Sequence, residues 1–256
     1  MSNTTNLSPH MLFDLGHTRS ATRRDHLLQT PDTFVRAPLP GMRNGVAIVH
    51  ISQAAGAKFV QYTAELAAGG NLGPAADQRF LYVLEGQVQV ERDLLDPGDF
   101  AYLPAQSRAN VNSSGPSRIA VIEKPYQTLA GHDAPGTVIG REHAAAMTHL
   151  NGDEWLEVRS LVPDHPSFDF RANTMTYQPG ASLPMVEMHV MEHGLLMLDG
   201  TGIYRLGDRW YPVAAGDFIW MAPYCPQWFG AIGKTPAKYL IYKDWDRHPR
   251  SNDGAS

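Results

Sequence analysis

The side chains best suited to bind a metal ion are concentrated in one short segment, residues 187–193. It contains the carboxylate Glu187 and the imidazoles His189 and His193. Glu187 and His189 are two residues apart, so on a β-strand their side chains would share a face and could approach one ion. His193 follows four residues later, with the same parity if the strand continues and within reach if it turns. The spacing therefore predicts a metal site.

The same residues also spell His-x-x-Glu-His, the motif of inverted zinc peptidases, in which Glu192 would be the general base. That motif requires a helix, which would place His189 and His193 on one face. Glycine and proline flank the segment on both sides, at Gly180, Pro184, Gly194 and Gly200. They disfavour a helix, so a strand is the preferred interpretation.

The rest of the chain is typical of a β-protein that would position this segment. From residue 45 onward, short apolar and β-branched runs at 46–51, 58–66, 80–83 and 87–90 are separated by Gly, Pro and Asp. This spacing predicts an antiparallel sandwich or barrel. The Ala-rich segment 142–149 is the only plausible helix between the two halves of the chain.

A long pattern occurs twice. Residues 81–86 and 97–104 are echoed by 195–200 and 215–223, and each copy ends on a similar strand. Such self-similarity indicates one supersecondary design used twice, and so two homologous β-domains. We predict an N-terminal arm at 1–44, a first domain at 45–130, a connecting segment at 131–160 and a second domain at 161–256.

Each copy resembles the paired motifs of the cupin barrel, with a strand ending in Gly, then Gly-Asp-Phe, an apolar strand and a proline turn. The resemblance implies an all-β bicupin, a duplicated jelly-roll barrel with short helices. Cupin motifs supply three His and one Glu as metal ligands. In the second copy Glu187 and His189 take the places of the first two His, His193 the place of the Glu, and Gln227 the place of the last His.

This permuted set resembles the (S)-ureidoglycine aminohydrolases of allantoin catabolism, which are manganese bicupins. The resemblance implies Mn²⁺ bound by Glu187, His189, His193 and Gln227, and the release of ammonia from (S)-ureidoglycine to give (S)-ureidoglycolate. Oxygen and nitrogen ligands without a thiolate also favour Mn²⁺ among first-row metals. A divalent ion with one carboxylate ligand keeps a positive charge and open positions, which suits an anionic small-molecule substrate.

Three further residues receive roles through this resemblance alone. Lys243 would contact the substrate carboxylate, Tyr239 would direct its hydroxyl to the ureido or amine end, and Tyr204 would be a further substrate contact. Glu187 and Gln227 would touch the substrate as well. Glu187 either handles protons or acts only as a ligand, and both remain open. Either tyrosine could instead be a core aromatic, and Lys243 an exposed charge on an edge strand.

The matching positions of the first copy hold Arg79, Ala75 and Ala109, none of which suits a metal. We therefore expect the first barrel to be metal-free. A second site built from His50 and Asp77 is disfavoured.

Composition narrows the function classes. The 256 residues carry a net charge of -5 and a pI near 6.1, which provides no basic surface for nucleic acid. No apolar run suggests a membrane span or a secretory signal, and the single cysteine, Cys225, fits a reducing compartment. We expect a cytoplasmic homo-oligomer in which Cys225 is a buried apolar residue rather than a nucleophile.

Two other functions compete with the hydrolase. The same pocket could serve another cupin enzyme, a dioxygenase or an isomerase, and oxygen consumption would reveal a dioxygenase. A non-catalytic bicupin that binds small acids would retain its function in EDTA.

Overall fold

The structure, a computed structural model, describes residues 18–244. Residues 1–17 of the predicted arm and 245–256 of the predicted second domain lie outside the described residues. Strands of the first half are β1 (Ala21–Thr22), β2 (His26–Gln29), β3 (Met42–Ile51), β4 (Val60–Leu72), β5 (Gln78–Glu85), β6 (Val88–Val90), β7 (Asp93–Leu95), β8 (Asp99–Leu103), β9 (Val111–Ser113) and β10 (Ser117–Lys124).

Strands of the second half are β11 (Val138–Arg141), β12 (Met147–His149), β13 (Leu156–Ser160), β14 (Arg171–Tyr177), β15 (His193–Asp199), β16 (Thr201–Leu206), β17 (Arg209–Ala214), β18 (Phe218–Met221), β19 (Gln227–Ile232) and β20 (Ala237–Lys243). The described helical segments are short 3-10 turns at Pro31–Thr33, Gln53–Ala55, Glu142–Ala144 and Leu150–Gly152. No described helix is long and apolar enough to cross a membrane.

The strand order repeats between the two halves of the chain. In the first half β8, β5, β10 and β4 are neighbours in one sheet, and in the second half β18, β15, β20 and β14 are neighbours in the same order. A smaller sheet of β17, β16 and β19 belongs to the second barrel. The prediction of an all-β, duplicated cupin architecture is confirmed.

The sheet of each barrel is extended by a strand from the segment that precedes the other barrel in the chain. The arm strand β2 pairs with β18 of the second barrel, and β11 of the connecting segment pairs with β8 of the first. Residues 21–29 of the predicted arm are thus part of the second barrel's sheet.

Buried apolar side chains form one cluster inside each barrel and a third between the barrels. Alternation along β20 shows how one strand contributes to two of them, since Tyr239 and Ile241 lie inside the second barrel whereas Leu240 and Tyr242 lie between the barrels. A strand buried on both faces requires a nearly continuous apolar sequence. This explains the apolar runs of the repeated pattern.

The helix predicted over 142–149 is wrong. Only a 3-10 turn forms at Glu142–Ala144, and Met147–His149 pairs with β13. The buried carboxylate of Glu142 accepts hydrogen bonds from Tyr82 at 2.5 Å, Lys238 at 2.6 Å and Thr174 at 2.8 Å. These long-range contacts outweigh the local helix preference of alanine.

Candidate active site

One cavity of about 220 Å³ inside the second barrel is lined by every site residue proposed from the sequence. These are Glu187, His189, His193, Tyr204, Gln227, Tyr239 and Lys243. The remaining wall is largely apolar and includes Met175, Leu183, Met191 and Ile241. A few polar groups that converge in an apolar cavity are the usual form of a small-molecule site.

Glu187 and Gln227 come from separate segments and are joined by one isolated antiparallel bridge. The N–H of Glu187 donates to the carbonyl of Gln227 at 2.8 Å, and the N–H of Gln227 donates back at 2.9 Å. Residues directly opposite in such a pair project their side chains to the same face. The bridge therefore presents the carboxylate and the amide to the same cavity.

The strand expected through Glu187 and His189 does not form; the bridge between Glu187 and Gln227 is the only strand-like pairing there within the described part of the chain. Beyond it the segment is irregular, held by a hydrogen bond from the N–H of Tyr224 to the carbonyl of His189 at 2.6 Å. No helix is present over 187–193, so the geometry required by the zinc-peptidase motif does not form. The side chains of Met185 and Met188 in this part of the chain are exposed.

Glu187 and His189 already have the separation of two ligands on one ion. His189 Nε2 lies 3.1 Å from Glu187 Oε2. Adjacent ligands at bond lengths near 2.1 Å are separated by roughly 3 Å. These two atoms can bind a common metal ion with little movement.

His193 is the first residue of β15 and is 3% exposed. Burial, with the nearby positive charge of Lys243, lowers the pKa of His193 to about 3. Its Nδ1 has no hydrogen-bond partner among residues 18–244. A buried imidazole that stays neutral and has an unsatisfied nitrogen is chemically suited to metal ligation.

Gln227 lines the same cavity and offers a second oxygen donor beside Glu187 and the two imidazoles. Its side-chain oxygen accepts a long hydrogen bond of 3.4 Å from the hydroxyl of Tyr204. Both side chains are buried, and burial raises the pKa of Tyr204 well above its usual value. The donor set fits a divalent ion of borderline hardness.

Lys243 and Tyr239 face the cavity because alternate residues of β20 share a face. Burial lowers the pKa of Lys243, and the Glu187 carboxylate partly opposes this shift. The two tyrosine hydroxyls of Tyr177 and Tyr239 are 2.8 Å apart. Tyr177 was not found by sequence reasoning, because only the pairing of β14 with β20 brings it to Tyr239.

Known proteins resemble this chain along most of its length. The cupin domain family model matches residues 173–242. The (S)-ureidoglycine aminohydrolase of Arabidopsis thaliana is 40% identical over 251 residues, which cover 95% of this chain and 84% of that protein. The enzyme of the same name from Escherichia coli (strain K12) is 32% identical over 231 residues, which cover 86% of this chain and 88% of that protein. The chain belongs to the (S)-ureidoglycine aminohydrolase family.

A solved structure supports the same relationship at the level of the fold. The crystal structure of protein Ylba from E. coli matches with a TM-score of 0.80 at 28% sequence identity, covering 92% of this chain and 98% of that one. Within the family fold, the cavity residues from Glu187 to Gln227 lie inside the segment that matches the cupin domain.

The first barrel of this aminohydrolase family member carries an ion pair at the matching place. Arg79 lies opposite Glu123 between β5 and β10, as His193 lies opposite Lys243 between β15 and β20. Arg79 Nε donates to Glu123 Oε1 at 2.7 Å, and the hydroxyl of Tyr62 donates to the same oxygen at 2.9 Å. A guanidinium thus supplies the positive charge that a metal ion would supply in the second barrel.

His50 and Asp77 do not come together as ligands. The ring nitrogens of His50 are hydrogen-bonded to Gln29 at 2.8 Å and to Thr63 at 2.9 Å. Asp77 lines a different cavity, at the mouth of the first barrel.

A second group of ligand-type atoms, from Asp25, His26 and Cys225, lies within 4.8 Å where the arm meets the second barrel. The ring nitrogens of His26 are hydrogen-bonded to Asp25 and to Tyr211, both at 2.9 Å. Burial raises the pKa of the Cys225 thiol to about 11, which disfavours the nucleophilic thiolate. His26 therefore makes a hydrogen-bonded contact between the arm and the second barrel, beside the buried thiol of Cys225.

Proposed function

We propose that this protein hydrolyses (S)-ureidoglycine to (S)-ureidoglycolate and ammonia, using Mn²⁺ held by Glu187, His189, His193 and Gln227. The main support is the convergence of these donors with Lys243 on one cavity in a member of this enzyme family. A volume of about 220 Å³ is below the roughly 300–1,000 Å³ of sites for drug-sized ligands. It suits a substrate with a carboxylate, a ureido group and an amine on one carbon.

The metal would supply a Lewis acid that anchors and polarises the anionic substrate. The residues that would hold the metal are suited to ligation, since His193 is neutral at physiological pH and His189 already contacts Glu187. The homo-oligomer and the cytoplasmic location expected from the sequence stay predictions, to be checked by analytical ultracentrifugation and cell fractionation.

Lys243 would orient the substrate within the cavity. It lines the cavity, where desolvation lowers the pKa of its ammonium group and the nearby Glu187 carboxylate opposes this shift. The substrate carboxylate would pair with this ammonium group and would lie at the Lys243 end of the cavity. This contact would restrict the orientations in which the reacting carbon meets water.

Glu187 can move the proton that the reaction requires. The C–N bond to the amine breaks, a C–O bond to water forms, and a proton passes from the water to the departing ammonia. Glu187 Oε2 faces His189, which leaves Oε1 to accept that proton and return it to the amine nitrogen. The Tyr239 hydroxyl, held by Tyr177, would donate to the ureido or amine end.

The test uses (S)-ureidoglycine generated in situ from allantoate, because the substrate decays spontaneously. Wild-type protein loaded with Mn²⁺ should release ammonia faster than the spontaneous rate and give only the S product. Removal of the metal with EDTA should abolish the acceleration, and Mn²⁺ should restore it. Ammonia release at the spontaneous rate with metal-loaded protein would contradict the proposal.

Tyr239→Phe is expected to lower kcat by about 10- to 100-fold, because it removes a hydrogen-bond donor to the reacting group. Tyr177→Phe should have a smaller effect in the same direction, since it only frees the Tyr239 hydroxyl to rotate. The matched control is Tyr62→Phe, which removes a buried hydroxyl from the first barrel. Steady-state ammonia assays give the comparison, and equal losses in all three variants would indicate general destabilisation.

A further inference from the structure

Glu192, which precedes the proposed ligand His193, is bound by donors from both barrels. Its carboxylate is 2% exposed and accepts the backbone N–H of Lys58 at 2.9 Å and the indole N–H of Trp220 at 3.2 Å. Lys58 lies two residues before β4 of the first barrel, and Trp220 lies on β18 of the second. One carboxylate therefore links the start of β15 to the first barrel.

Gly194, on the other side of His193, packs against the same part of the first barrel. A Cβ at this position would meet the side-chain oxygen of Gln61 and would come within 2.6 Å of Phe59 Cζ. The backbone of β15 is therefore in close contact with residues 59–61. The first barrel restrains the residue before His193 and the residue after it.

Strand alternation separates these contacts from the cavity. Glu192, Gly194 and Leu196 face the region between the barrels, whereas His193 and Leu195 face the interior of the second barrel. Phe59 also stacks on Tyr242, the neighbour of Lys243, with ring centroids 4.0 Å apart. The first barrel thus braces both strands that present a charged or ligating residue to this end of the cavity.

We propose that Glu192 is a positioning residue, which fixes His193 by tying the start of β15 to the first barrel. The first barrel thereby sets the geometry of the metal site in the second. This inference rests on the metal site of the proposed function.

The need for such a tie follows from the irregular backbone. Between Glu187 and His193 the chain has the isolated bridge at Glu187 and the hydrogen bond at the His189 carbonyl, and no continuous strand. Ligands on an irregular segment depend on outer contacts to hold them, and loss of one such contact commonly costs 10- to 100-fold in metal affinity. Within residues 187–193, the buried side chain of Glu192 supplies such an outer contact.

The test compares Glu192→Ala, Glu192→Gln, Trp220→Phe and Gly194→Ala with wild type. Glu192→Ala should weaken Mn²⁺ binding by about 10- to 100-fold. Trp220→Phe, which removes only the indole donor, should weaken it less, and Gly194→Ala should weaken it by inserting a methyl group against the first barrel. Glu192→Gln keeps the shape and one acceptor, so it should recover part of the affinity.

Mn²⁺ affinity is measured by competition with a chelating dye, kcat and KM by ammonia release, and Tm on the metal-free proteins. The matched control is Glu142→Ala, a buried carboxylate bound by Lys238, which is five residues before Lys243 on β20. A purely structural role would lower Tm in Glu192→Ala and Glu142→Ala alike and leave both Kd values at that of wild type.

Wild-type Kd values in Glu192→Ala and Trp220→Phe, or an equal change in Glu142→Ala, would overturn the inference. The two proposals can fail separately. If wild type binds Mn²⁺ but releases no ammonia, the proposed reaction is wrong, and the Kd series still decides the role of Glu192. If wild type binds no Mn²⁺, both are wrong.

Discussion

Replacing Glu187 by Gln is expected to lower kcat by roughly two to four orders of magnitude when Mn²⁺ is saturating, which is the usual contribution of a positioned general base. Gln keeps an oxygen that can face His189 and the metal, but an amide cannot accept and return a proton. The Kd for Mn²⁺ should rise as well, because the only anionic ligand has been neutralised. Ammonia release over a range of Mn²⁺ concentrations separates the two effects.

The same titration decides between the two roles that the sequence leaves open for Glu187. If kcat returns to the wild-type value once enough Mn²⁺ is present, Glu187 acts as a ligand alone. A plateau far below wild type at saturating metal assigns proton transfer to it. Glu91→Gln, at an exposed turn of the first barrel, is the matched control and should change neither kcat nor Kd.

The family resemblance identifies the candidate site residues, and local geometry explains why several of them share one cavity. Tyr239 and Lys243 are four residues apart on β20, and strand alternation is enough to send both to one side. Gln227 depends on its spacing within a repeated pattern, which the second barrel preserves.

The contacts that escaped prediction are all non-local. His26 of the arm pairs with Met221 on β18, a partner that no local pattern specifies. Tyr177 reaches Tyr239 only through the pairing of two strands far apart in the sequence. The sequence pattern offers Glu192 only the role of a peptidase base, because its partner Lys58 contributes a backbone amide, which no sequence motif marks.

The second large effect is expected for Lys243→Met, which should lower kcat/KM by roughly 30- to several-thousand-fold, or about 2–5 kcal/mol. Met has a similar length and no charge, so the substrate carboxylate would enter the cavity without an ammonium group to pair with. Most of the loss should appear in KM, because the ionic contact exists in the bound substrate as well as in the transition state.

Stability should respond differently from activity. Burial lowers the pKa of Lys243, which means that the folded protein holds the ammonium form less favourably than the unfolded chain does. Removing the amine relieves that desolvation but also ends its attraction to Glu187, so the Tm of the metal-free protein should stay within about 4 °C of wild type. Lys238→Met, on the same strand, is the control. The Lys238 amine donates a hydrogen bond to Glu142 outside the active-site cavity, so Lys238→Met should keep the wild-type KM and have a lower Tm.

A wild-type KM in Lys243→Met, or a parallel fall in Tm and activity, would place the substrate carboxylate elsewhere in the cavity.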